Sequence, residues 1–193
     1  MNRRLILASR SPRRKALLEE LRLDIKAVPS GVVESFREGE SPRDQVLRLA
    51  TEKAEWVAKR FPERWVIGAD TTVVIEGRTL GKPGDASEAT AMLSLLSGRD
   101  HWVLTGYTIT RKKGSTLVSR VVETRVRVKD LSAEEITWYI RTGEPFDKAG
   151  AYAIQGVGCF MVVEIEGSYT NVVGLPVCQV LESLRALGAV ELR

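Results

Sequence analysis

Histidine and cysteine are scarce in this chain of 193 residues, which carries one histidine and two cysteines. A histidine-built zinc centre needs more than His101 can supply, so that chemistry is excluded. His101 lies in Asp100-His101-Trp102-Val103-Leu104 and reads as an ordinary strand or edge residue. Cys159 and Cys178 sit in apolar surroundings without a CxxC spacing, which predicts buried free thiols rather than a disulfide or a metal site. Long apolar runs are missing too. Leu5-Ile6-Leu7-Ala8 is too short for a signal peptide, and no stretch approaches the roughly 20 apolar residues of a membrane span, so a cytoplasmic protein with no membrane partner is expected. Aromatics make up only 6%, and the net charge of +4 is a small excess of 29 basic over 25 acidic residues. A nucleic-acid binder calls for a clustered basic stripe with interleaved aromatics, so nucleic acid is not an expected partner. The densest basic run, Arg111-Lys112-Lys113 before Gly114-Ser115, reads as a solvated hairpin tip. With no repeat, linker or low-complexity segment, the chain is expected to form one domain or two closely fused lobes.

What is present is a series of strands and capped helices. Arg4 to Ala8 reads as a strand, followed by a helix with Ser11 as N-cap and Pro12 at its first position. The short loop Ser9-Arg10-Ser11 leaves backbone N–H groups at the helix start beside Arg10, Arg13 and Arg14. That is either a phosphate site or a solvated first turn, and it matches neither the P-loop nor the dinucleotide fingerprint. Ile25 to Val28 reads as a strand and is followed by a loop holding Glu34. Ser41-Pro42 then opens a long helix reaching about Phe61, on which Val46, Ala50 and Val57 share a stripe with Lys53. A lysine there either snorkels outward or points into a cavity that holds an anion.

Trp65 to Ile75 reads as two β-branched runs meeting at a polar break centred on Asp70. A carboxylate between apolar strands is costly unless a cation or donors meet it, so Asp70 is either an Asx turn or a catalytic or metal-binding group. Glu76-Gly77-Arg78 predicts a tight hairpin whose returning strand ends in Leu80-Gly81-Lys82-Pro83. Asp85 with Glu88 predicts a capping box, as does Ser132 with Glu135. Between those helices, Trp102 to Thr110 and Thr116 to Val128 read as an antiparallel hairpin. Asp147-Lys148-Ala149-Gly150-Ala151-Tyr152-Ala153-Ile154-Gln155-Gly156 combines small residues, which let a backbone approach a ligand closely, with three different polar side chains. Cys159 to Val163 reads as a strand, Glu166-Gly167-Ser168 as a turn, and Leu175-Pro176 opens a last helix ending near Gly188.

Ala8-Ser9-Arg10-Ser11-Pro12-Arg13-Arg14, Gly68-Ala69-Asp70-Thr71, Gly81-Lys82-Pro83, Asp147 to Gly156 and Val173-Gly174-Leu175-Pro176 resemble, in order and over nearly the whole chain, the successive motifs of the Maf family of nucleoside triphosphate pyrophosphatases. The resemblance implies an α/β fold, a mixed β-sheet with flanking helices and two lobes around a central nucleotide-binding cleft, the lobes making one domain over residues 1–193. It also implies a homodimer, a divalent cation such as Mg or Mn, and a link to septum formation and division arrest. Ser-Pro-Arg-Arg together with Ala-Tyr-Ala-Ile-Gln-Gly is similar to the branch that hydrolyses dTTP and UTP to the monophosphate and pyrophosphate. On the family pattern Asp70 is the proton acceptor or a metal ligand, with Glu34 as its metal partner. Lys53, Lys82, Arg13 and Arg14 then neutralise phosphates, while Ser9, Thr71, Asp147, Lys148 and Gln155 complete the substrate-binding set. Arg13, Thr71 and Gln155 fall at specificity positions, where the Gln155 amide can pair with a pyrimidine. A non-catalytic nucleotide sensor or partner-binding regulator of septum formation is the alternative.

Overall fold

In a computed structural model, residues 5–35, 37–111 and 115–191 are described. Of the expected solvated tip, Lys112 to Gly114 lie outside the described residues, while Arg111 is half-buried with its guanidinium 4.8 Å from the Trp65 ring centroid, a stacking contact that takes it out of solvent. Among those described, the elements run β1 (Leu5–Ala8), α1 (Pro12–Glu20), β2 (Ile25–Ala27), α2 (Pro42–Ala58), β3 (Val66–Ile75), β4 (Arg78–Leu80), α3 (Ala86–Leu96), β5 (Asp100–Arg111) and β6 (Ser115–Val128). After them come α4 (Ala133–Arg141), three 3-10 turns, β7 (Val162–Glu166), α5 (Tyr169–Val173) and α6 (Val177–Ala186). The strands form a mixed sheet in the order β2-β1-β3-β5-β6-β7, with β4 paired to β3. The chain divides into two compact units, the first from residues 1–70, 105–122 and 174–193, the second from residues 71–104 and 123–173.

In the first unit β1 pairs in parallel with both β2 and β3, with Ala8 opposite Gly68. The α2 stripe packs on these strands, and Ala54, Val57 and Ala58 form a core with Ile6, Ala8, Val28 and Val66. Helix and strand approach so closely that a Cβ on Gly68 would overlap the Ala50 carbonyl oxygen and stand 2.8 Å from the Ala54 nitrogen. Side-chain caps start both helices as expected. Ser11 Oγ accepts from the Arg14 N–H and Ser41 Oγ from the Asp44 N–H, with proline in the first turn of each.

In the second unit β4 returns along β3 through a turn in which Glu76 and Gly77 both have positive φ, 49° and 74°. Helices α3 and α4 cover a core that includes Val73, Leu93, Val103, Val126, Tyr139, Tyr152 and Met161. Ser132 and Glu135 make both bonds of the capping box. At α3 only half of that device forms, because Asp85 accepts from the Glu88 N–H while the Glu88 carboxylate takes the N–H of Gly84 instead.

Three expectations are corrected. β3 runs unbroken through Asp70, so there is no polar break and no Asx turn; the ammonium that meets the carboxylate removes the reason for the strand to open. The strand placed at Cys159 to Val163 starts only at Val162, because residues 156–161 coil as a 3-10 turn. Both cysteines are exposed. Cys159 lies in that turn rather than in a buried strand, and Cys178 faces outward on α6.

Candidate active site

The first unit gathers a compact charged cluster. Asp70 is carried by β3 and is 8% exposed; Lys53 is carried by α2 and is 6% exposed. Lys53 Nζ lies 2.6 Å from Asp70 Oδ1 and 2.6 Å from Glu34 Oε1. The lysine thus does not snorkel outward; its ammonium points inward to anionic groups, and these are the protein's own carboxylates. It bridges two carboxylates, one buried and one whose side chain is 51% exposed on the loop before α2. A buried ammonium and carboxylate are tolerable in this setting because each desolvated charge has an opposite charge at hydrogen-bonding distance.

The loop that carries Glu34 is tied to the same helix. Arg48 on α2 donates to both oxygens of Glu40, at 2.6 and 2.7 Å, and to the Ser35 carbonyl at 3.0 Å, next in sequence to Glu34. Lys53 and Arg48 are five residues apart on α2, so one helix sets the position of both ends of the pairing. Sequence reasoning passed over Arg48. An arginine inside the first turns of a helix looks solvated unless its partner Glu40 is known to fold back on it.

The turn between β1 and α1 is closed by its own side chains. Ser9 Oγ accepts from the Ser11 N–H at 3.1 Å and from Arg14 Nη1 at 3.4 Å. Arg14 also donates from Nε to the Gly174 carbonyl at 2.6 Å and from Nη1 to the Ala69 carbonyl at 2.9 Å. Its guanidinium braces the backbone immediately before Asp70. Burial lowers the Arg14 pKa, the Asp70 and Glu34 carboxylates pull it back up, and Arg13 adds to the lowering. Arg14 therefore adds positive field at Asp70 while its donors hold carbonyl oxygens. Arg13, in the first turn of α1, is half-buried, and Arg10 is exposed.

The remaining expected site residues belong to the second unit. Thr71 is half-buried on β3, and Lys82 is exposed just beyond β4. The Gly150 N–H donates to the Gly81 carbonyl at 2.9 Å, which stitches the Gly81-Lys82-Pro83 stretch to Lys148-Ala149-Gly150. Gly150 has φ 70° and would place a Cβ 3.1 Å from the Val73 side chain, so a side chain is doubly disfavoured there. Lys148 Nζ bonds the Glu144 carbonyl at 3.0 Å and the Asp147 carboxylate. Gln155 is exposed. Behind this segment, His101 Nε2 and the Tyr152 hydroxyl meet at 2.7 Å in the core. Burial, only partly opposed by Asp100, depresses His101 to about 4, and burial raises Tyr152 above the usual phenol range.

Asp70 and Glu34 could hold a hard divalent cation. Both offer carboxylate oxygen, and both already converge on one point charge, Lys53. Among the described residues there is no group of three or more His, Cys, Asp or Glu side chains arranged to hold a metal ion. A cation with two protein carboxylates needs its other ligands from water and phosphate, the usual arrangement for magnesium at a triphosphate. Among the described residues no helix is long and apolar enough to cross a membrane.

The family model described as Maf-like protein matches residues 4–187. A curated relative from Syntrophus aciditrophicus (strain SB), named dTTP/UTP pyrophosphatase, is 49% identical over 189 residues, covering 98% of this chain and 92% of that protein. Another of the same name from Geotalea uraniireducens (strain Rf4) is 51% identical over 187 residues, covering 97% of this chain and 96% of that protein.

Proposed function

The chain belongs to the Maf family, and from that membership we propose that it is a nucleoside triphosphate pyrophosphatase acting on dTTP and UTP. The observation that carries this reading is near-half identity, over almost the full length of both chains, to relatives named for that activity. The cluster around Lys53 supplies chemistry that suits it. Hydrolysis joins a water oxygen to the α-phosphorus, breaks the bond from that phosphorus to the oxygen bridging to the β-phosphate, and releases pyrophosphate. Asp70 holds and deprotonates the water. Lys53 fixes the Asp70 and Glu34 carboxylates in one orientation, and Arg14 and Arg13 add positive charge where the phosphates gather. When bound by Asp70 and Glu34, a divalent cation, Mg or Mn, supplies charge neutralisation and Lewis acidity. On the family likeness we also assign Ser9, Thr71, Lys82, Asp147, Lys148 and Gln155 to substrate binding.

The two units form one domain in this reading, since each is assembled from separate stretches of chain and neither is a continuous segment. We place the enzyme in the cytoplasm, where its substrates are, as a homodimer, with a role in nucleotide-pool cleaning or division arrest. Asp70→Asn tests the assignment. An enzyme loses at least about a hundredfold in kcat, the scale of a general acid–base contribution, while still binding dTTP. If the variant keeps wild-type turnover, the role given to Asp70 is wrong. If wild type and variant alike bind dTTP without turnover, the non-catalytic sensor replaces the enzyme.

A further inference from the structure

The segment that holds Gln155 is anchored by a side chain that neither composition nor motif spacing singles out. Glu144 follows Gly143, whose φ of 76° ends the α4 chain direction. Its carboxylate reaches across to the turn after Gln155: Oε2 accepts from the Val157 N–H at 3.0 Å, and Oε1 accepts from the Gly158 N–H at 3.0 Å. Oε1 also accepts from the Tyr139 hydroxyl at 3.0 Å, which fastens the same carboxylate to α4. Gly156, with φ 71°, lies against the carboxylate so closely that a Cβ would stand 2.5 Å from Oε2. The backbone of Glu144 is held as well, its N–H by Thr142 Oγ1 at 3.1 Å and its carbonyl by Lys148 Nζ at 3.0 Å. Burial acts to raise the carboxyl pKa, but the Gly158 and Val157 N–H groups, the Tyr139 hydroxyl and Lys148 outweigh it and hold the group ionised.

We infer that Glu144 is the positioning residue for substrate recognition: its carboxylate fixes the turn that follows Gln155, and so sets base selectivity without touching the substrate. This rests on the reading of the chain as a pyrimidine nucleotide pyrophosphatase. The successive N–H groups of Val157 and Gly158 on one carboxylate make a charge-assisted fork that fixes the turn beginning at Gly156, directly after Gln155. A glutamine can keep one acceptor but turns its NH2 toward a backbone N–H, and an alanine keeps the backbone bonds but none of the carboxylate's.

The test measures kcat and KM for dTTP, UTP and ATP with wild type, Glu144→Gln, Glu144→Ala and Tyr139→Phe, alongside thermal unfolding of each. For Glu144→Ala the KM for dTTP is expected to rise about tenfold while kcat stays within about threefold, and the preference for dTTP over ATP falls about tenfold, the change that follows from loss of roughly one charged hydrogen bond. Glu144→Gln falls between alanine and wild type. Tyr139→Phe, which keeps both N–H bonds, shifts selectivity in the same direction by less and serves if the Glu144 variants do not fold. Unchanged selectivity in a folded Glu144 variant, or a loss of kcat at constant KM, overturns the inference. Absence of pyrophosphate release by wild type overturns the underlying functional reading instead.

Discussion

Replacing Lys53 by methionine should show what the central cluster costs and what holds it. The substitution keeps much of the side-chain volume and removes the ammonium that stands 2.6 Å from each carboxylate. Glu34 can turn to solvent, so its share is small, about 0–1 kcal/mol. Asp70 cannot, because it sits within β3 and is 8% exposed. Removing one member of a buried pair typically costs about 3–5 kcal/mol. The charge of Arg14, which also acts on Asp70, places the expected value at the lower end, about 3 kcal/mol. For a chain of this size that is a fall in Tm of roughly 6–12 °C. Urea unfolding at neutral pH gives the free energy, and a double-mutant cycle with Asp70→Asn isolates the pair. The double variant should recover about 2 kcal/mol relative to the sum of the single changes, because the asparagine no longer strands a buried charge. A Lys53→Met cost below about 1 kcal/mol, or simple additivity in the cycle, would refute a buried Lys53–Asp70 pair.

Two further changes probe the frame around the cluster. Gly68→Ala drives a methyl into the α2 backbone and should cost about 2–3 kcal/mol, read as a lower urea midpoint; a cost under about 0.5 kcal/mol would mean that β3 and α2 are further apart than described. His101, depressed by burial to about 4, is neutral in the fold, whereas the unfolded chain binds its proton below about 6.5. Stability should therefore decline as pH falls from about 6.5 to 4, by up to about 3 kcal/mol, and His101→Gln should flatten that decline; an equal slope in the variant assigns it to other groups.

Much of the fold was legible because its determinants are local. Ser11, Ser41 and Ser132 each cap a helix through bonds spanning three residues, and Glu76-Gly77 turns a hairpin through its own dihedral angles. Lys53 and Asp70 could be singled out because each is a charge set in an apolar pattern. Their union could not be read, since it depends on α2 crossing β3 at Gly68, a contact between positions 17 residues apart. The break predicted at Asp70 failed for the same reason: a lone carboxylate in a strand looks disruptive until its cation is in place. Glu144 and Arg48 were missed because both resemble ordinary surface charges, and only folded loops show that each accepts or donates several bonds. The cysteines were misplaced because apolar neighbours in sequence do not fix which way a 3-10 turn or an outer helix face points.

The first measurement to make is product analysis of purified wild-type protein with each nucleoside triphosphate, with and without Mg²⁺ or Mn²⁺. Metal-dependent conversion of dTTP and UTP to the monophosphate and pyrophosphate, with purine nucleotides turned over far more slowly, is the predicted result. Release of single phosphates, or no pyrophosphate from any nucleotide, would contradict it.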